Sequence, residues 1–132
     1  MNLEIICNQV ISLSRSVGQF IQAETIKISD VETKSKNSLV TYVDKTAEQK
    51  IVDGLIPFIS NAGFITEEDT LDQIENEYMW IIDPLDGTTN FIHGIPFYSI
   101  SIALQRKNET ILGVVLEVTS DECFYAWEGS SA

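Results

Sequence analysis

The run Trp80-Ile-Ile-Asp-Pro-Leu-Asp-Gly-Thr-Thr-Asn-Phe91 is the most informative part of this chain. An apolar strand ends at Asp83, and Pro84 and Gly87 then predict a tight turn that brings Asp86 back beside Asp83. Two carboxylates held close repel each other, and a cation between them relieves the repulsion. Thr88, Thr89 and Asn90 are good residues for opening a helical turn, whose first N–H groups would be free to meet an anion. One short segment thus offers a hard-cation site next to a phosphate cradle. Taken alone, Pro84-Leu-Asp-Gly87 is also an ordinary turn tetrapeptide.

Around this run the chain reads as helices first and strands after. Leu3, Ile6, Cys7, Val10, Leu13, Val17, Phe20 and Ile21 recur at three- and four-residue steps, which predicts an amphipathic helix to about Ala23. The polar stretch from Ser29 to Ser38 reads as a loop. A second helix is expected from near Asp44, with Ala47, Ile51, Leu55, Phe58 and Ile59 on its apolar face, ended or kinked by Pro57. Asn61-Ala-Gly63 is a stop and turn signal. Phe64–Thr66 and Met79–Ile82 read as short strands, and Phe97–Leu104 alternates as a strand with one buried face. Ile111–Val118 is apolar almost throughout, as in a strand buried on both faces. Arg106–Thr110 is a hairpin loop, and Cys123–Glu128 is a last strand with Cys123, Tyr125 and Trp127 on one side. The expected fold is α+β: two amino-terminal helices packed on an antiparallel β-meander, in a single domain over residues 1–132.

Composition narrows the partners. Twenty acidic residues against eight basic ones give a net charge of −12. That argues against a nucleic-acid or anionic-membrane surface, because both need clustered Lys and Arg. It does not exclude an anionic substrate, since divalent cations can lie between carboxylates and phosphate. Cys7 and Cys123 form neither a CxxC pair nor a zinc spacing, and read as free thiols of a reducing compartment. The amino terminus lacks a basic n-region, so a cytoplasmic location is expected.

Three segments, in order, carry a family resemblance. Asp83-Pro-Leu-Asp-Gly-Thr-Thr-Asn-Phe-Ile-His-Gly94 resembles the signature of the inositol monophosphatase family, Leu39-Val-Thr-Tyr-Val-Asp44 resembles its Leu-Val-Thr-x-x-Asp, and Gly63-Phe-Ile-Thr-Glu-Glu68 resembles its Gly-Phe-Ile-Gly-Glu-Glu. The resemblance implies the first half of a layered αβαβα sugar-phosphatase fold and magnesium-dependent hydrolysis of a small phosphate monoester. Myo-inositol 1-phosphate or a similar sugar phosphate is the first expectation. Fructose 1,6-bisphosphate and 3′(2′),5′-bisphosphate nucleotides are alternatives within the superfamily, and a non-catalytic metal-binding domain is an alternative outside it.

The resemblance also implies roles. Glu67 would bind metal and orient water, Asp83 would bridge two metals, Leu85 would donate its backbone carbonyl oxygen, and Asp86 would hold the second metal beside the substrate. Asp44 and Thr88 would pair by hydrogen bond and help to activate the water, and Gly87, Thr88 and Thr89 would hold phosphate through N–H groups. On spacing alone Asp44 is equally a helix N-cap, Glu68 and the acids after it read as a solvated loop, and His93 as a loop or packing residue. Lys34 and Lys36 lie in the loop expected near the site.

The complete family enzyme uses two or three Mg²⁺ ions and often forms a homodimer. Its later half adds a metal-binding aspartate in a Trp-Asp-x-Ala-like motif that nothing here matches: Ile81 follows Trp80 and Glu128 follows Trp127. The expectation is therefore an amino-terminal half, weak or inactive alone. Ser38 replaces a frequent Asp and Thr66 a frequent Gly, and neither is a proposed ligand.

Overall fold

The computed structural model describes residues 1–28, 33–66 and 76–131, with side chains left out at 26–28 and 33–35. The elements run α1 (Leu3–Ile28), α2 (Thr33–Leu55), a 3₁₀ turn (Ile56–Phe58), β1 (Gly63–Thr66), β2 (Tyr78–Asp86), α3 (Thr88–Ile92), β3 (Ser99–Arg106), β4 (Glu109–Glu117) and β5 (Glu122–Trp127). The five strands form one sheet in the order β1-β2-β3-β4-β5. The α+β class is as expected, with α1 and α2 packed against each other and against the sheet.

Both long helices exceed their expected lengths. No glycine or proline interrupts Glu24–Ile28, so α1 continues past Ala23 to Ile28. The Thr25 hydroxyl donates to the Gln22 carbonyl oxygen at 2.6 Å within this last part of α1. The second helix starts at Thr33, not near Asp44, so the Lys36–Ser38 stretch read as loop is helical. Its polar residues lower helix propensity by only tenths of a kcal/mol each, about 0.5. Burial of Val40, Val43, Ala47, Ile51 and Leu55 on one stripe outweighs that. Pro57 ends α2 as expected, with the helix stopping at Leu55 and the 3₁₀ turn carrying the proline in its first positions. Gly54 lets the two helices approach: a Cβ there would lie 2.5 Å from Leu13 Cδ1.

The sheet departs from a pure antiparallel meander at one edge, where β1 pairs with β2 in parallel. Pairs β2–β3, β3–β4 and β4–β5 are antiparallel. The hairpin between β3 and β4 turns on Lys107 and Asn108, both left-handed at φ 49° and 71°, the backbone of a two-residue turn that matches strand twist. β4 is buried on one face only. Leu112, Val114 and Leu116 lie under α1, whereas Val115 is 40% exposed. The helices cover a single face, so an apolar residue on the other face stays open. Across that open face the register aligns Ile65, Ile81, Ala103, Gly113 and Ala126 in one row.

The core between helices and sheet contains Trp80, Ile82, Ile100, Ile102 and Leu104 together with Ile21, Ile51 and Leu55. Cys7 is buried and Cys123 half-buried, both free thiols. No helix among the described residues is long and apolar enough to cross a membrane.

The β4–β5 turn is closed by Glu117. Its carboxylate accepts from the Thr119 hydroxyl at 2.8 Å and from the Ser120 N–H at 2.7 Å, and also from the Ser120 hydroxyl. Burial pushes the Glu117 carboxyl up, but these hydrogen bonds together outweigh it and hold it below its ordinary value of 4.5.

Two predictions follow from this packing. Leu104→Ala should cost about 2–5 kcal/mol in urea denaturation, while Phe124→Ser, at a side chain 63% exposed, should change stability by no more than about 0.5 kcal/mol. Because the folded-state pKa of Glu117 is depressed, its contribution is complete above pH 4.5 and is lost as pH falls through the folded value. Glu117→Gln should therefore be less stable than the parent at pH 7, with the gap closing on acidification; a gap independent of pH would count against this account.

Candidate active site

A bulge builds the site. Asp83 pairs with Ser101 and Asp86 with Ser99, so three steps on β2 oppose two on β3. In a regular strand, residues three apart point to opposite faces. The extra residue restores the parity and places Asp83 and Asp86 on the same side. Pro84 lacks an N–H and fits where ladder pairing lapses. The sequence reading expected a tight turn here; the chain instead stays extended, and the bulge does the work assigned to the turn.

Local hydrogen bonds hold this geometry. The Leu85 N–H donates to Asp83 Oδ1 at 3.3 Å, and the Thr88 hydroxyl donates to the Leu85 carbonyl oxygen at 3.2 Å. The Leu85 side chain is buried, 2% exposed, which anchors its backbone. Gly87 then turns the chain in the left-handed region at φ 95° and serves as N-cap of α3. Its carbonyl accepts the Phe91 N–H at 3.0 Å, the first bond of α3, so the N–H groups of Thr88, Thr89 and Asn90 precede the helical ladder. A Cβ at Gly87 would lie 2.9 Å from the Phe97 carbonyl oxygen. The Asn90 amide donates to that same oxygen at 2.7 Å and ties α3 to the segment before β3. The sequence reading gave Asn90 no role beyond opening a helix; this tie was not visible in its spacing.

Asp83, Leu85, Asp86, Gly87, Thr88, Thr89 and Asn90 line one cleft of about 320 Å³. Most of the residues expected at the site therefore come together. Asp44 is half-buried in the interior of α2, so it is not an N-cap. It lies on the helix that packs against α3. Glu67, expected to bind metal, and the neighbouring Glu68 lie outside the described residues. Lys36 lines a different cavity, together with the exposed His93.

The donor set suits one kind of cation. Two carboxylates and a backbone carbonyl are hard oxygen donors, with no imidazole or thiol in the cleft wall, which fits magnesium rather than zinc or copper. Among the described residues no three His, Cys, Asp or Glu side chains converge as a metal cluster. Magnesium keeps several waters and does not need one.

Solved structures share this α+β arrangement. The chain superposes on inositol monophosphatase from Anabaena (Nostoc) sp. PCC 7120 with a TM-score of 0.81 at 28% identity, over 98% of this chain and 46% of that one. It superposes on extragenic suppressor protein suhB from Bartonella henselae with a TM-score of 0.80 at 30% identity, over 96% and 49%. The fold class is therefore that of the inositol monophosphatase and SuhB structures.

The sequence model of the inositol monophosphatase family matches residues 2–132, and the chain belongs to that family. It is 38% identical to the fructose-1,6-bisphosphatase/inositol-1-monophosphatase of Thermotoga maritima over 92% of this chain and 47% of that protein. It is likewise 38% identical to the Nus factor SuhB of Pasteurella multocida over 95% and 48%. The chain thus spans about half the length of the curated relatives it matches.

Gly87→Ala should destabilise the protein by about 1–3 kcal/mol, since alanine must hold a positive φ and its methyl meets the Phe97 carbonyl. Thermal denaturation would show this as a lowered Tm. A Gly87→Ala protein as stable as the parent would mean that the turn has another way to form.

Proposed function

We propose that the whole protein carrying this sequence hydrolyses a small phosphate monoester, with myo-inositol 1-phosphate or a similar sugar phosphate as substrate, in a magnesium-dependent reaction. The observation that carries this reading is the bulge at Pro84. It turns Asp83 and Asp86 to one side immediately before the Gly87-capped helix. Cation donors and anion donors are thereby adjacent on one continuous backbone.

In this reading Asp83, Asp86 and the Leu85 carbonyl oxygen hold magnesium, joined by Glu67. Bound magnesium would supply charge neutralisation on the phosphate and a lowered pKa for the attacking water. The N–H groups of Gly87, Thr88 and Thr89 orient the phosphate oxygens, where fixed donors stabilise charge that develops in the transition state. The Thr88 hydroxyl, with Asp44, orients the water. The resemblance to the family further assigns a later aspartate to the second metal, so the 132-residue chain is proposed to be weak by itself. Fructose 1,6-bisphosphate is the runner-up substrate, supported by the name of the Thermotoga maritima relative. A non-catalytic, cation-binding role is the second reading; relatives named Nus factor SuhB carry a name that is not that of an enzyme.

The test is phosphate release from myo-inositol 1-phosphate and fructose 1,6-bisphosphate by the whole protein, with and without magnesium. Release should require magnesium and should fall at least about 100-fold in Asp86→Asn, on the scale of losing one charge-stabilising group, with an unchanged far-UV circular dichroism spectrum. Magnesium binding without turnover would select the non-catalytic role. Near-parent activity in Asp86→Asn would remove Asp86 from the metal site.

A further inference from the structure

A second cavity lies on the other side of α3. It encloses about 520 Å³ and is walled by Lys36, His93, Gln22, Tyr98, Phe91 and Ile95, among others. This volume is in the range of small-molecule pockets, roughly 300–1,000 Å³. The two cavities share α3 as a wall: Thr88, Thr89 and Asn90 face the carboxylate cleft, and Phe91, Ile92 and His93 face this one.

Their described walls differ in charge. The chain holds twenty acidic residues and eight basic ones, yet among the described residues none that lines this cavity is acidic, while Lys36 and the single histidine, His93, do line it. Glu117 is close enough to Tyr98 to affect its hydroxyl, but its carboxylate is turned into the Ser120 and Thr119 donors and is not in the wall.

The neutral part of the wall is ordered. Burial, first of all, pushes the Tyr98 hydroxyl up and keeps it protonated, and it hydrogen-bonds with the Thr25 hydroxyl, which in turn donates to the Gln22 carbonyl oxygen at 2.6 Å. Phe91 and Tyr98 meet edge to face, ring centres 5.5 Å apart at 77°, which gives the apolar side a fixed shape. A cationic corner beside a rigid apolar wall suits a ligand with a charged head and a carbon body.

The geometry points to a second ligand site in this cavity, separate from the carboxylate cleft, that takes a small organic anion: a phosphate, phosphonate or carboxylate head at Lys36 and His93, with its apolar body against Ile92 and Ile95. The site needs no divalent cation, which distinguishes it from the cleft.

Phenylphosphonate titrated in the presence of EDTA tests this. His93 is the only histidine of these 132 residues, and its imidazole proton resonance, assigned by its loss in His93→Gln, reports directly from the cavity wall. The resonance should shift saturably. Inorganic phosphate, which lacks the carbon body, should bind more weakly. Lys36→Gln should weaken phenylphosphonate at least about tenfold, the scale of one charge-assisted hydrogen bond, while Lys36→Arg retains binding and Asp86→Asn leaves it unchanged. A resonance that does not saturate, equal affinity in Lys36→Gln with a parent-like circular dichroism spectrum, or loss of binding in Asp86→Asn would overturn the proposal. The last of these would put the anion in the cleft. None of these outcomes depends on turnover, so this site and the phosphatase reading stand or fall separately.

Discussion

A proline in a paired strand is the constraint on which the rest of the structure depends. Pro84 has no N–H to give to the ladder, so β2 cannot run through it in regular register. The chain inserts one extra residue between the pairs at Asp83 and Asp86. Without that insertion the two aspartates would point to opposite faces, one of them toward the helices. The bulge also sets where β2 ends, and with it where Gly87 turns and α3 begins. Strand, cation donors and anion donors are thus fixed relative to one another by a single irregularity in the sheet.

The scaffold beneath this irregularity is held from one side. α1 and α2 close over the sheet through a nearly continuous apolar layer that includes Val10, Val17, Ile51, Trp80 and Leu104. Gly54 eases the close approach, since a Cβ there would require the Leu13 methyls to shift. A Cβ at Gly18 would sit 3.3 Å from Leu116, so α1 rests directly on β4. The site lies at the end of β2, on the side the helices leave open, so the packing that stabilises the sheet does not occupy the space a ligand needs. The exposed ion pair of Arg15 with Asp121 at 3.3 Å adds little to this, as surface pairs contribute about 0–1 kcal/mol.

Much of this was legible in the sequence, for identifiable reasons. The apolar period of α1 and the alternation of β3 are direct images of burial, and both elements are present, α1 running on past Ala23 to Ile28 and β3 lying two residues later than expected. Pro57 stops a helix because proline cannot continue one. The start of α2 was not legible: Lys36–Ser38 is polar, and its helicity follows from the buried stripe that begins at Val40, ahead of the start expected near Asp44. The direction of β1 was not legible either, since pairing sense is set by the path of the connection and not by the residues of the strand. β4 was expected to be buried twice over because its residues are apolar, but burial depends on what covers the sheet. At the site, the residue types at Asp83, Pro84, Asp86 and Gly87 suggested a hard-cation turn, and the family resemblance added the Leu85 carbonyl, whereas the means of bringing them together, a bulge, is a property of the pairing with Ser99 and Ser101. Asn90 was overlooked because its partner, the Phe97 carbonyl, is a backbone atom that no sequence pattern marks.

The placement of the two tryptophans has an optical consequence. Trp80 is wholly buried, three positions before Asp83 on the same strand, while Trp127 lies half-buried on the edge strand, stacked on Tyr125 with ring centres 6.3 Å apart. The emission of the protein is therefore the sum of a blue component from an apolar surrounding and a redder one from a partly hydrated ring. A water-soluble quencher reaches only the second. What survives quenching comes from the strand that carries the aspartates, so the chain contains its own label for events at the carboxylate cleft, already separated from the far edge of the sheet.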